Sequence, residues 1–367
     1  ETWFYRVDIP SDRKHFSKTK PMELKNFDDC IAWWNNREVI PDGEYFKAQK
    51  YTADYLLNEQ GCNIDLCGYP HEEEEVMAPA DLIQKYEEKR ASLNAEIDRT
   101  ILALSASLNG EPVNFDTQGT ISACGKMDDL HKRFPEDMKK SVLQYAIQGK
   151  LVEQRPEEGT AEELYRQIQT EKKRLTKEGK IKKEKPLPEI AEDEIPFDIP
   201  ESWKWVRLGD CTGYSQTKPK ISPKDITENM WSLDLEDIQK ESGAILTRIT
   251  ASERKITGDK VLFYKGQVLY SKLRPYLKKI LVAPDNGICT PELVPFNTYL
   301  VYANYIVYVL RSPHIDYAVN SVTYGVKMPR VGTETMVNLL IPLPPIAEQK
   351  RIVAKLEEIL PLCERLK

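Results

Sequence analysis

The sequence predicts an α+β chain: a strand-rich domain accompanied by long helices that make coiled-coil or bundle contacts, behind a small mixed region that ends in a long helix. Three observations predict it. Residues 203–345 hold short apolar runs, "KWVRLGD", "KVLFY", "QVLYSKL", "KILVA" and "NYIVYVLR", separated by turns such as "APDNGI". Apolar residues recur at helical spacing at Leu82, Tyr86, Leu93, Ile97, Ile101, Leu104 and Leu108, and again at Met138, Val142, Leu143, Tyr145, Ala146 and Leu151. Finally, "PLPPIAEQKRI" at 342–352 passes in a few residues from an apolar run to a charged helix former.

Residues 1–78 mix aromatic and polar stretches without a clean period, so short strands and helices are expected there, with Trp33 and Trp34 serving a small core or an interface. From Pro79 to Leu108 a long helix follows, capped by Asp81 and ended by Asn109-Gly110. Residues 111–126 read as a linker. A helix over 135–151 has Gly149 near its end, and a second helix opens with Thr160 and Glu163 at capping-box spacing. Then comes a proline-punctuated connector, "PLPEIAEDEIPFDIPESW", and after it the strands.

The junction at 342–352 comes after "MVNLLI", Met336 to Ile341, which reads as a buried strand. Pro342, Pro344 and Pro345 cannot donate to a ladder and are expected to end it. Proline is tolerated in a first helical turn, and Glu348 there meets the positive end of the helix dipole. The next apolar residues, Ile352, Leu356, Ile359, Cys363 and Leu366, are spaced 4, 3, 4, 3, a heptad seam interrupted by Pro361. A rigid joint between a globular body and a coiled-coil arm fits this pattern, as does a C-terminal helix packed on its own domain.

The 367 residues suffice for two or three domains. The first residue is Glu1, which suggests a fragment or a processed product. Seven scattered cysteines suit free thiols in a reducing cytoplasm, and no apolar run reaches the length of a membrane span. The net charge of −6 hides an asymmetry: −8 for residues 1–110, −3 for 111–200, +4 for 201–340 and +1 for 341–367. There is no P-loop, dinucleotide fingerprint, nucleophile elbow or deaminase pattern, and no Asp-Pro-Pro-Tyr type motif of amino-methyltransferases. No catalytic residues and no metal ligands are therefore assigned, and no cofactor is expected in this chain.

The basic segment interleaves cations with tyrosines in three stretches. "YSKLRPYLKK" carries Tyr270, Lys272, Arg274, Tyr276, Lys278 and Lys279; "TGYSQTKPK" carries Tyr214, Lys218 and Lys220, with Gln216 between them; "TYGVKMPR" carries Tyr324, Lys327 and Arg330. Basic side chains neutralise phosphates, Arg pairs with guanine edges, and tyrosine stacks or donates. Three such stretches in the one basic segment of an acidic chain point to double-stranded DNA.

"IPESWKWVRLGD", "YSKLRPYLKKILVAPDNGICTPE" and "KMPRVGTETMVNLLIPLPPIAEQKRIVAKLEEIL", in that order, resemble the specificity subunit of type I restriction–modification systems, as do the preceding "MKKSVLQYAIQGKLV" and "KIKKEKPLPEIAEDEIPF". The resemblance covers 127–367. It implies a helical N-terminal stretch and connector over 127–200, a target recognition domain over 201–345 and a spacer helix over 346–367 that sets the distance between two DNA half-sites. A full subunit has two of each, so half a subunit is implied. Upstream, "WFYRVDIPSDRKHFSKTKPM", "WWNNRE" and "NIDLCGYP" resemble the C-terminal tail of the methylation subunit, which implies a fusion over 1–110. The family then implies docking of Leu93, Ile97, Ile101 and Leu104 on spacer helices. It also implies N6-adenine methylation with S-adenosylmethionine held by an associated catalytic domain. The partners it implies are DNA, the methylation subunit and the restriction subunit, with a second copy pairing through the spacer helix. Two rivals are a piece of a single-chain restriction–methylation enzyme with its own nuclease, and a scaffold that no longer reads DNA.

Overall fold

A computed structural model of the chain describes residues 2–8, 22–42, 45–56, 76–108, 117–321 and 329–365; the side chains of 45, 100, 103–108 and 117–124 lie outside that description. The architecture is α+β, and the chain divides into two compact units, 1–74 and 75–367. In the first unit, β1 (Thr2–Tyr5), β2 (Ile40–Asp42) and β3 (Tyr45–Tyr51) form an antiparallel sheet in the order β1-β3-β2, with α1 (Asp28–Trp34) beside it. Trp33 is its buried anchor: Trp3 meets it edge-on at 5.6 Å, and its indole N–H donates to Glu38 O at 2.8 Å. Trp34 is exposed, with Arg37 stacked over it.

The second unit begins with a two-helix hairpin, α2 (Pro79–Leu108) and α3 (Thr117–Ile147). Tyr86 stacks on Phe134 at 3.9 Å, and the Ser141 hydroxyl donates to Met77 O, so the helices run antiparallel. This joins α2 to the helices and strands C-terminal to it, so the structural division falls at 74/75 and not at 110. The linker expected over 111–126 is helical from Thr117 onward; 111–116 lie outside the described residues. Along α2, Leu93 is buried, Ile97 half-buried and Ile101 exposed. Gly149 ends α3 at φ +72°, where Lys150 N–H reaches Tyr145 O, and a Cβ there would clash with Pro200. Next, α4 (Ala161–Lys177) starts with the reciprocal bonds between Thr160 and Glu163 that the spacing predicted.

The strand-rich domain is closed by its own ends. β4 (Lys204–Arg207) pairs antiparallel with β13 (Leu340–Leu343). Between them lie α5 (Leu208–Cys211), β5 (Lys220–Ile221), β6 (Trp231–Leu233), β7 (Ile249–Thr250), β8 (Lys260–Phe263), β9 (Val268–Ser271), β10 (Ile280–Val282), β11 (Gly287–Cys289), β12 (Leu293–Phe296), α6 (Ala303–Arg311), α7 (Pro313–Asn320) and α8 (Thr333–Asn338). One sheet has the order β5-β8-β11-β6-β7, with β11 and β6 parallel; another has the order β10-β9-β12. The second sheet separates two cores. Val268, Tyr270, Ile280 and Phe296 face a large core shared with the helices, whereas Leu269, Leu281 and Leu293 face a smaller one with Trp231, Leu233 and Phe263. That alternation is the two-residue period of a strand buried on both faces.

Two expectations fail here for physical reasons. "NYIVYVLR" is helix α6, not a strand; Tyr305, Ile306, Val309 and Leu310 are buried at the i, i+1, i+4, i+5 spacing of one helix face. Pro342 does not end the ladder, because β13 runs through it opposite Trp205, and a two-stranded ribbon leaves one edge where a missing N–H costs nothing. Met336–Asn338 belong to α8 instead.

The joint itself is held by side chains. α9 (Ile346–Glu364) opens with two buried polar residues. Glu348 accepts from the Trp203 indole N–H at 2.9 Å and the Gln154 amide at 2.6 Å. Gln349 donates to Pro344 O and accepts from Tyr302 N–H, and the Tyr305 hydroxyl donates to Pro342 O at 2.7 Å. Ile352, Leu356 and Cys363 are buried, Ile359 is half-buried, and Lys139 of α3 pairs with Glu364 of α9. Of the two forms left open, the seam thus takes the packed one; Leu366 lies outside the described residues. At about 1.5–3 kcal/mol per buried side chain, that packing outweighs leaving a short helix free. Among the described residues, no helix is long and apolar enough to cross a membrane.

Glu348→Ala leaves the buried Trp203 indole N–H unpaired, whereas the exposed Gln154 amide keeps its bond to Gly149 O. Urea unfolding of this variant should show a loss of about 1–3 kcal/mol, with Glu348→Gln losing less; a shift under about 0.5 kcal/mol would show that water replaces the carboxylate.

Candidate nucleic-acid interface

The basic stretches divide according to where the backbone puts each side chain. On β9, Tyr270 faces the helix-side core and is buried, which drives its hydroxyl pKa well above the usual range. Tyr214 packs against it and against Phe296, with ring centroids at 6.1 and 5.3 Å. These two tyrosines are core residues, so the expectation that they touch DNA is corrected. Lys218 is corrected too: it donates to Gly213 O at 2.9 Å and Tyr214 O at 2.7 Å, and burial pulls its pKa down to about 8 against the opposing charge of Glu184.

Past Ser271 the chain leaves the sheet. Arg274 (φ 50°) and Lys278 (φ 49°) are left-handed and bracket a single 3-10 turn, Pro275–Leu277. Such non-glycine conformations cost about 1–3 kcal/mol each and persist where the surroundings fix them. Here Arg274 N–H donates to Pro329 O at 2.7 Å, Leu277 N–H to Arg274 O, and Glu241 N–H to Leu277 O. The turn sends Lys278 inward to Asp316 at 2.8 Å, and Lys279 donates to Leu235 O at 2.6 Å. Lys278 is matched by a carboxylate and Lys279 is tied to a backbone carbonyl, which turns both inward from the candidate surface.

Lys272, Arg274, Tyr276 and Lys220 remain accessible. Tyr276 is 49% exposed, Lys220 is exposed on edge strand β5, and Lys272 and Arg274 are half-buried with no direct side-chain partner among the described residues. The Arg274 Nε is buried without a hydrogen bond. Arg330 joins them: Leu273 bridges Arg330, and Val331 N–H donates to Lys272 O, so two stretches far apart in sequence lie side by side. Arg330 pairs with Glu292 at 2.9 Å, and that bond, together with Lys272, holds the Glu292 carboxyl below its usual pKa. Tyr324 and Lys327, like the Leu104 side chain on α2, lie outside the described residues.

Sequence reading missed one charged network. Arg254 reaches Asp234 at 2.9 Å and Asp237, and Lys260 reaches Asp234 at 2.7 Å, a cluster that locks the loops of the smaller core. Residues so far apart along the chain give no local signal for it.

The family model described as "Type I restriction modification DNA specificity domain" matches residues 200–365. The Type I restriction enzyme EcoAI specificity subunit of Escherichia coli is 29% identical over 239 residues, covering 62% of this chain and 40% of that protein. The Type I restriction enzyme EcoEI methylase subunit of Escherichia coli is 29% identical over 113 residues, covering 30% of this chain and 23% of that protein. Among solved structures, the HsdS subunit from Thermoanaerobacter tengcongensis is 27% identical with a TM-score of 0.41, covering 47% of this chain and 45% of that one. The chain therefore spans about 40% of the length of the specificity subunit it matches. Residues 200–365 of this α+β chain carry a type I restriction modification DNA specificity domain.

Proposed function

We propose that the chain recognises one half-site of a double-stranded DNA target and delivers it to a type I methyltransferase. The observation that carries this reading is the pairing of 272–274 with 329–331, which brings the accessible Lys272 and Arg274 beside Arg330. Cations there would neutralise phosphates, and a planar guanidinium can take a phosphate or a guanine edge in two bonds. The match of residues 200–365 to a DNA specificity domain supports the same assignment.

The helices and the first unit serve assembly on this reading. Residues 1–110 would be the tail of a methylation subunit, fused ahead of the specificity half; the methylase match covers 30% of the chain, a share of that size. The exposed Ile101 on α2 would meet the catalytic partner, which would hold S-adenosylmethionine and flip the target adenine for N6-methylation. A restriction subunit and a second copy are further partners of the same assembly, although the buried α9 seam now favours contacts through α2.

Two experiments test this. Lys272→Ala or Arg274→Ala should weaken DNA binding and lower the salt slope by about one unit each, whereas Lys278→Met should leave the slope unchanged. The opposite ranking would place the interface elsewhere. Labelled S-adenosylmethionine and mixed-sequence DNA should give no transfer with this chain alone; robust labelling without an added catalytic subunit would make it an enzyme in its own right.

A further inference from the structure

Helices α3, α6 and α9 enclose a cleft of about 470 Å³ that the DNA surface does not use. That volume lies within the range of roughly 300–1,000 Å³ common to ligand pockets. Leu143, Tyr308, Leu360 and Pro361 form apolar walls, and Ser242 and Lys278 stand on the side of the strand-rich domain. Arg311 also lines it, lying over the Tyr308 ring at 5.8 Å but without a counter-charge. One of its nitrogens donates to Ile280 O, its Nε is buried with no partner, and among the described residues no carboxylate pairs with it. Burial pulls its pKa down to about 10. Of the other cations on the cleft, Lys139 is matched by Glu136 and Glu364, and Lys278 by Asp316.

Removing a guanidinium from water without a counter-charge costs several kcal/mol. The backbone accommodates it all the same: Gly243 sits at φ +64°, and a Cβ there would clash with the Arg311 guanidinium and Ile280 O. Glu136, Glu241, Glu357 and Glu364 also line the cleft, the first and last paired with Lys139, and this acidic lining disfavours a polyanion such as a DNA backbone. We propose that this cleft binds a small organic anion, with a carboxylate or phosphate monoester seated on Arg311 and an apolar or aromatic body against Leu143, Tyr308, Leu360 and Pro361. The site is independent of the DNA reading.

Calorimetric titration of the full chain with phenyl phosphate, benzoate and inorganic phosphate tests it. One or both aromatic anions should bind saturably at millimolar concentration or below, and at least tenfold more tightly than inorganic phosphate. Arg311→Met should lose at least tenfold in affinity. Ser242→Trp, which fills the cleft from an exposed loop position, should lose it as well while keeping the circular dichroism spectrum and the DNA affinity of the parent. If Arg311→Met does not fold, Ser242→Trp decides. No saturation by either aromatic anion, undiminished binding by Ser242→Trp, or equal affinity for inorganic phosphate would overturn the proposal.

Discussion

Glu348 is the residue on which the arrangement of the second unit depends. Its carboxylate is almost wholly buried and takes two donors, one from Trp203 at the entrance of the strand-rich domain and one from Gln154 just past α3. Burial raises its pKa, and the two donors oppose that rise. Gln349 beside it does the same for the backbone, taking the Tyr302 N–H and giving to Pro344 O. Prolines withhold donors but keep their carbonyls, so a proline-rich joint needs side-chain donors rather than acceptors. Tyr305 and Gln349 supply them. A helix of ordinary polar sequence could not be fixed this rigidly, because nothing would read the carbonyls of 342–344.

With the ends of the domain paired through β4 and β13, everything between them becomes one closed excursion from the helices. Arg207 reinforces the closure, donating to Pro188 O and Asn338 O while pairing with Glu194. The accessible cations sit where β9 runs out of the sheet. Tyr270 and Lys272 are two residues apart and would share a face if the strand continued. It stops at Ser271, whose hydroxyl turns back to Leu273 O, and the alternation ends with it. This is why a tyrosine–lysine–arginine stretch that looks uniform in sequence divides into core and surface.

How much could be read from the sequence depends on the reach of each signal. The capping box of α4 and the stop at Gly149 rest on bonds within a few residues, and the strands β8 to β10 on apolar runs bounded by turns, so all were legible. α6 was misread because an apolar run rich in Tyr, Val and Ile satisfies both a strand and a buried helix. The α9 seam was legible as a seam but not as to its partner, since heptad spacing says that a face is covered and not by what. The same limit applies to charge: Lys278 and Lys279 read like Lys272, and only their distant partners, Asp316 and Leu235, tell them apart.

Arg274 and Lys272 then differ in what they can do at the proposed interface. Arg274 has its backbone fixed in the left-handed region by its N–H to Pro329 O, and its Nε is buried, so the base of its side chain is set before any ligand arrives. Little side-chain freedom is left to lose on binding, and a planar donor pair with a fixed heading suits a contact that must have one geometry. Lys272 carries a compact charge on a flexible stem beside Glu292, which suits a phosphate whose position varies from step to step along a duplex. A rigid arginine next to an adaptable lysine, on a turn that the fold strains to hold, can set register and neutralise charge at the same point on the DNA.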